Sequence, residues 1–366
     1  MRVVRRNFLK AAFLSSFSLA CFFVAPAAFA RERDWQPQRT WVFIVGLLKW
    51  EDPETFPSFP AANRRDAQLA DYFRREGVPS NQLVYLQDAQ ATTRRVREKF
   101  TQMLAQTRAG DTLFVYFTGH GYKSDDERTT FFATYDAGEN TSGWSTRTIV
   151  SDINGRFRGS RVLLTADCCY SGELVKDARR LDARISYAAL TSATSEKTST
   201  QNWTFTEMLL AGLRGKPYVD LDGDGDITLG EIGENARRDM AFAEDQQALF
   251  AVHGLSPDIV LANAPQVVNP AIGRRVLVRS EGDWYKARVV DARGNRLRVH
   301  YFGYEDSDDE WVLARQIREN RVGESSSAGA WTRTERQFGR VDGWVGSRSD
   351  QRSTTTRNGW LTTPIN

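Results

Sequence analysis

The chain has 366 residues, 49 basic against 46 acidic side chains, and three cysteines. That length supports one large core plus a small second domain, and so few cysteines exclude the spaced disulfide framework of a small secreted fold. The first thirty residues carry Arg2, Arg5, Arg6 and Lys10 without an acid, then an apolar run from Ala11 to Val24, then Ala28-Phe29-Ala30 before Arg31. This reads as an export signal over residues 1–30, and Arg5-Arg6-Asn7-Phe8-Leu9-Lys10 resembles a twin-arginine leader. Cleavage after Ala30 removes 4 of the 49 basic residues and no acid, leaving 45 against 46, so the small positive balance does not argue for nucleic-acid binding. A periplasmic or secreted protein with no membrane span after cleavage is expected. Its remaining cysteines are the adjacent Cys168 and Cys169.

Beyond the leader, apolar runs at 41–46, 83–86, 112–118, 161–166, 187–191 and 259–261 have the continuous hydrophobicity of strands buried on both faces. Helix-like segments at 61–76, 92–106, 147–157, 204–213 and 229–250 lie between them. The alternation predicts an α/β domain over 39–263, a mostly parallel sheet with helices on both faces. In such sheets ligands sit beyond the carboxyl ends of the strands. Gly119-His120-Gly121 follows the third run and Asp167-Cys168-Cys169-Tyr170-Ser171-Gly172 the fourth. If those strands are neighbours, histidine and cysteine meet over the sheet edge. A cysteine nucleophile needs a base or positive charge to form its thiolate, and N–H donors for the oxyanion it creates.

Taken with their surroundings, these two motifs resemble the caspase-like cysteine peptidases, in particular the metacaspase branch, over roughly residues 39 to 263. The resemblance implies a caspase-like sheet, Cys169 as nucleophile, His120 as general base, and the backbone N–H groups of Gly121 and Cys169 as oxyanion donors. It also implies an acidic pocket for a basic side chain, with Asp167 and Asp66 as its carboxylates and Thr118 where the family often carries serine, hence cleavage after Arg or Lys. The chain departs from the family at Tyr170, where histidine is common, and at Asn63, where cysteine can occur. Cys168 occupies a variable position as a bystander or redox partner of Cys169.

Residues 220–231 match a twelve-residue EF-hand loop. Asp220, Asp222 and Asp224 stand at positions 1, 3 and 5, Gly225 at the turn, and Glu231 at 12. Asp226 offers its carbonyl and Thr228 a water-bridged contact. Calcium of extracellular-grade affinity is the expected cofactor, and calcium control of activity follows from the loop's placement and from the calcium dependence common among metacaspases. Residues 272–318 then read as short strands with tight turns, and resemble the Tudor-knot or chromo-barrel family of SH3-like all-β barrels. Trp284, Tyr285, Tyr301, Tyr304 and Trp311 are candidates for an aromatic cage or for barrel core. The expected partner is a peptide or protein. Residues 319–366 read as a disordered tail. The rival to an exported Arg/Lys-specific endopeptidase is a non-catalytic, calcium-binding scaffold that uses the sheet only for shape.

Overall fold

In the computed structural model, which describes residues 31, 33–60, 64–138, 141–197, 202–266 and 269–319, Val42, Phe43, Ile44 and Val45 have no exposed surface. A strand apolar on both faces must be covered on both faces, and this one, β1 (Thr40–Gly46), lies inside a six-stranded sheet. The odd-numbered Trp41, Phe43 and Val45 face a core shared with Val96, Phe100, Ile149, Ile153 and Leu174. These belong to α2 (Thr93–Leu104), α3 (Thr146–Arg156) and α4 (Gly172–Ala178). Val42 and Ile44 face a second core with Leu69, Phe73, Phe205, Leu209, Ile232 and Ala236, from α1 (Arg65–Arg75), α5 (Thr204–Leu213) and α6 (Leu229–Ala243). Two-residue periodicity in the strand thus sends alternate side chains into two separate cores.

β1 pairs in parallel with β2 (Leu83–Gln87) on one side and β3 (Thr112–Thr118) on the other. β7 (Arg161–Asp167) and β8 (Ser186–Thr191) extend the sheet beyond β3, again in parallel. The chain therefore steps outward from β1 to β2, returns across β1 to β3, and continues the other way. The strand order reverses at the β1–β3 junction, which leaves a crevice at their carboxyl ends. The register aligns Gly46 with Thr118 and Thr118 with Asp167. His120 and Cys169 each lie two residues past the end of this row. Between them in sequence, β4 (Gly121–Lys123), β5 (Thr130–Phe132) and β6 (Trp144–Ser145) form a small antiparallel sheet starting immediately after His120.

The architecture is mixed α/β: a mostly parallel central sheet, six α-helices among the described residues, and a C-terminal antiparallel sheet. It corrects the sequence reading in two places. The helix predicted over 229–250 ends at Ala243, two residues before Asp245 takes a positive φ of 53°. The chain then forms β10 (Leu249–His253), which closes the sheet edge antiparallel to β8. The strand predicted at 259–261 becomes β11 (Val260–Asn263), outside the central sheet and paired with β9 (Asp226–Thr228). Leu249-Phe250-Ala251-Val252 suits either helix or strand locally, and pairing with β8 decides it.

β12 (Arg275–Ser280), β13 (Asp283–Arg293), β14 (Arg296–Tyr301), β15 (Glu310–Leu313) and β16 (Ile317–Glu319) form the C-terminal sheet in the order β15-β14-β13-β12-β16. Its core is Val276, Val278, Ala287, Val289, Val299, Tyr301 and Val312. Charged contacts attach this sheet to the first domain. Asp239 of α6 receives Arg275 at 2.8 Å and also Arg288. His300 lies 2.7 Å from Asp309 and 3.5 Å from Glu207 of α5. Arg65 at the start of α1 spans Glu207 at 2.7 Å and Asp306 at 3.1 Å. The leader at 1–30, Asn63 and residues 320–366 of the tail lie outside the described residues.

Candidate active site and acidic loop

His120 leaves β3 into a box of aromatic rings, 4.5 Å from Trp50, 5.6 Å from Phe56 and 4.4 Å from Phe59 between ring centroids. These rings belong to the loop between β1 and α1, at the point where strand order reverses. Desolvation by the box lowers the imidazole pKa below its ordinary value, only partly opposed by a hydrogen bond to the Pro57 carbonyl. That bond, 2.8 Å from Nε2, has a chemical consequence. A carbonyl can only accept, so Nε2 carries the proton and Nδ1 presents the lone pair. The ring is thereby neutral, oriented and basic at one defined nitrogen.

Cys169 is partly exposed, whereas Cys168 is buried, and no disulfide joins them. Burial and the neighbouring Cys169 and Asp167 hold the Cys168 thiol well above its usual range, so it stays protonated and inert near neutrality. The two loops touch at Gly121. A β-carbon there would fall 2.0 Å from the Cys169 carbonyl oxygen and 3.2 Å from the Cys168 sulfur. Only glycine permits that approach, which brings the residue after His120 against the main chain of Cys169. The rest of the cysteine motif has a mechanical role. Ser171 accepts the Ala193 N–H at 3.2 Å, and a β-carbon on Gly172 would meet the Ser195 nitrogen at 2.6 Å. Both residues thus bind the cysteine turn to the loop after β8. Tyr170 sits in the left-handed region at φ 57°, donates its N–H to the Lys197 carbonyl at 2.9 Å, and places its ring 5.2 Å from the Lys123 ammonium.

A narrow pocket opens beside these loops, lined by Thr118, Gly119, Asp167, Leu48, Phe59 and Trp203 among others. Asp167 is its buried acid. Burial raises its pKa to about 6, against the pull of hydrogen bonds from Thr206 and Ser192. Thr206 donates to Asp167 Oδ2 at 2.6 Å, so the 2.6 Å contact between Tyr116 and Thr206 has Tyr116 as donor. Asp66 does not line this pocket. It lies under Gly46, where an added β-carbon would meet its carboxylate at 1.8 Å. Its oxygens receive Arg64 at 2.8 Å and Tyr85 at 2.8 Å. Arg64 also bonds Asp88 at 2.5 Å and the Gly46 carbonyl at 3.0 Å. The structure therefore sets Gly121 against the Cys169 main chain, lines a pocket with Thr118 and Asp167, packs His120 against Phe59 of that pocket's wall, and leaves Asp66 paired with the chain's own guanidinium. Pro57, the aromatic box, Arg64 and Thr206 were missed. The dense aromatic and proline content of residues 50–60, directly after the first strand, was the available signal for the first two.

In the acidic loop, Asp220, Asp222 and Asp224 hold carboxylate oxygens within 4.8 Å of one another. Burial and these like-charged neighbours raise the Asp220 pKa, which main-chain N–H bonds from Gly223 and Gly225 oppose. Glu231 lies across the loop, accepting Leu221 N–H at 2.7 Å, and Thr228 N–H and Oγ1–H at 2.9 and 2.8 Å. It forms a capping box with Thr228 at the start of α6. Asp226 points away and pairs with Arg31. The three carboxylates fit a hard cation; Glu231 and the Thr228 hydroxyl are engaged within the loop. The strand that ends this loop, β9, pairs antiparallel with β11. In the C-terminal sheet Tyr285, Tyr301 and Tyr304 converge with centroids 5.8–6.1 Å apart. Trp284 and Trp311 stand apart, each under an arginine, Arg318 at 4.2 Å and Arg293 at 5.0 Å.

No family model matches the chain, and no curated protein matches it. Among solved structures it is similar to protein GSU0716 from Geobacter sulfurreducens, at 15% identity and a TM-score of 0.46, over 62% of this chain and 100% of that one. No helix among the described residues is long and apolar enough to cross a membrane.

Proposed function

We propose that the chain is an exported cysteine endopeptidase of the caspase-like, metacaspase-branch type that cleaves after Arg or Lys. The observation that carries this reading is the contact of Gly121 with the Cys169 carbonyl, which sets the histidine and cysteine loops side by side next to a pocket with one buried carboxylate. In the proposed step, His120 Nδ1 takes the Cys169 thiol proton and the sulfur adds to the scissile carbonyl carbon. His120 then returns that proton to the leaving amine as the C–N bond breaks. Water hydrolyses the resulting thioester, its proton passing through the same imidazole. The Pro57 carbonyl keeps the ring in the required tautomer throughout, the role that a carboxylate has in other triads. Asp167 supplies the charge opposite a basic side chain.

Calcium fits as the ion of the acidic loop. Asp220, Asp222 and Asp224 would hold it, and it would supply neutralisation of three clustered carboxylates and rigidity between α5 and α6. The C-terminal sheet, read as the Tudor-knot or SH3-like module, would recruit a peptide or protein at the tyrosine cluster, where Tyr304 is exposed, Tyr285 half-buried and Tyr301 part of the core. The test is labelling by an arginyl irreversible thiol inhibitor, with calcium or a chelator, of the parent protein and of Cys169→Ala, Cys168→Ala and His120→Ala. Label on the parent and on Cys168→Ala only is expected, reduced by chelation. An unlabelled parent points instead to the non-catalytic scaffold, and labelling that is lost only in Cys168→Ala assigns the chemistry to the other sulfur.

A further inference from the structure

Arg31 is held through its main-chain nitrogen and carbonyl and through two of its guanidinium nitrogens. Its main-chain nitrogen donates to Asp226 Oδ1 at 2.8 Å, its Nε to Asp226 Oδ2 at 2.9 Å, and its Nη2 to the Asp258 carbonyl at 3.0 Å. Asn263 Nδ2 bonds both the Arg31 carbonyl at 2.9 Å and Asp226 Oδ1 at 3.1 Å. The next residues continue the attachment: the Asp34 N–H donates to the Val260 carbonyl and the Asp34 carboxylate accepts the Val260 N–H, both at 2.8 Å, and the Trp35 indole N–H donates to the Leu261 carbonyl at 2.9 Å. Asp226 is 3% exposed, and Asp220, Asp222 and Asp224 precede it in the same loop. The local charge is therefore strongly negative, and among the described residues Arg31 delivers its guanidinium to Asp226. An exposed arginine is ordinarily bound by its side chain; here the backbone nitrogen of residue 31 is aimed at a buried carboxylate.

The leader motif ends at Ala30, so the residue whose nitrogen faces Asp226 is the one that a cut there would make first. We propose that removal of residues 1–30 creates an α-ammonium at Arg31 that pairs with the buried Asp226 carboxylate and so locks the start of the mature chain onto β9 and β11. Water cleaves the Ala30–Arg31 peptide bond; Ala30 leaves with the new carboxylate, and the Arg31 nitrogen gains protons to become the ammonium. The amide N–H that donates to the Asp226 carboxylate then becomes an ammonium, so the hydrogen bond gains a full positive charge opposite the buried negative one. Because Asp226 opens β9, and β9 runs through Thr228 into α6, maturation braces the frame that carries the acidic loop. The inference rests on the export reading and is independent of the peptidase reading.

The full chain is expressed with its leader in an exporting bacterium, recovered after export, and its first residue identified by mass spectrometry. The thermal midpoint is then compared, in EDTA throughout, between the parent, a variant with one glycine inserted between Ala30 and Arg31, Asp226→Asn, and the combination. The inserted residue turns the Arg31 nitrogen back into an amide. A parent beginning at Arg31, a Tm lowered by about 2 °C on insertion, and no such difference in the Asp226→Asn background are expected. A retained leader or a different first residue overturns the export reading and the inference with it. A first residue of Arg31 with an unchanged Tm on insertion, or with the same change in Asp226→Asn, overturns the inference alone. The insertion lies at an exposed chain start, so the parent comparison decides the matter even if Asp226→Asn does not accumulate.

Discussion

Replacing Gly121 by alanine adds one methyl group at the point where the two loops touch. Its β-carbon would lie 2.0 Å from the Cys169 oxygen and 3.0 Å from that carbonyl carbon, whereas a close C···O contact is about 3.3 Å or more. The loops must therefore part by about 1 Å. Gly121 cannot yield sideways, because it is the first residue of β4 and pairs with Phe132. A displacement of about 1 Å between reacting groups costs on the order of 100-fold in rate, or about 2.7 kcal/mol of transition-state stabilisation. Overpacking of this kind also destabilises by about 1–3 kcal/mol. The assay is kcat/KM on an arginyl peptide amide, alongside thermal unfolding to show that the variant is folded at the assay temperature. Gly121→Ala is expected to retain about 1% of parent turnover while remaining folded. Turnover within about twofold of the parent would refute the claim that this contact sets the distance between base and nucleophile.

Two further outcomes follow from the titrating groups. Asp167, with its pKa raised to about 6, loses its charge below that pH, so the ratio of kcat/KM for an arginyl peptide to that for its neutral citrullyl analogue should fall as pH drops from 7 to 5. His120 acts on both substrates and cancels from the ratio; Asp167→Asn should make the ratio low and flat, and a flat ratio in the parent would exclude Asp167 as the specificity charge. His300, between Asp309 and Glu207, is raised from 6.5 to about 9 through hydrogen bonds and charge from those carboxylates, against desolvation. A raised histidine contributes stability that is complete below about 6.5 and is lost as pH passes about 9. At about 1.4 kcal/mol for each pH unit between those values, the ceiling is about 3 kcal/mol. The thermal midpoint should thus drop by several degrees between pH 7.5 and 9.5, whereas His300→Gln should begin lower at pH 7.5 and lose this part of the pH dependence; parallel profiles would show that His300 does not clamp the C-terminal sheet to α5.

The strands carrying His120 and Cys169 were legible because a strand buried on both faces needs uninterrupted apolar residues, as in Thr112–Thr118 and Arg161–Asp167. Their termini were legible too, since polar residues and glycine resume where the chain leaves the sheet. The acidic loop was legible as carboxylates at alternate positions, and the fold brings the oxygens of Asp220, Asp222 and Asp224 within 4.8 Å of one another. Sequence order could not reveal that Gly121 would lie on the Cys169 carbonyl, that a proline carbonyl would hold the histidine, or that Arg64 would occupy Asp66. Each of these depends on register between strands far apart in sequence, or on main-chain atoms that every residue possesses and that leave no mark on composition. The same holds for residues 249–253 and 260–263, where local preference permits several states and only the partners β8 and β9 select one.

By itself, then, the sequence determined which segments must be buried and where the chain leaves the sheet with polar and glycine residues, because those properties reside in side-chain type and short-range spacing. The tertiary structure alone decided which carboxylate lines the pocket, which nitrogen of His120 is basic, and where Arg31 is anchored. Those outcomes are set by long-range packing, in which a carbonyl, a glycine or a resident arginine gains its meaning from what the fold places against it.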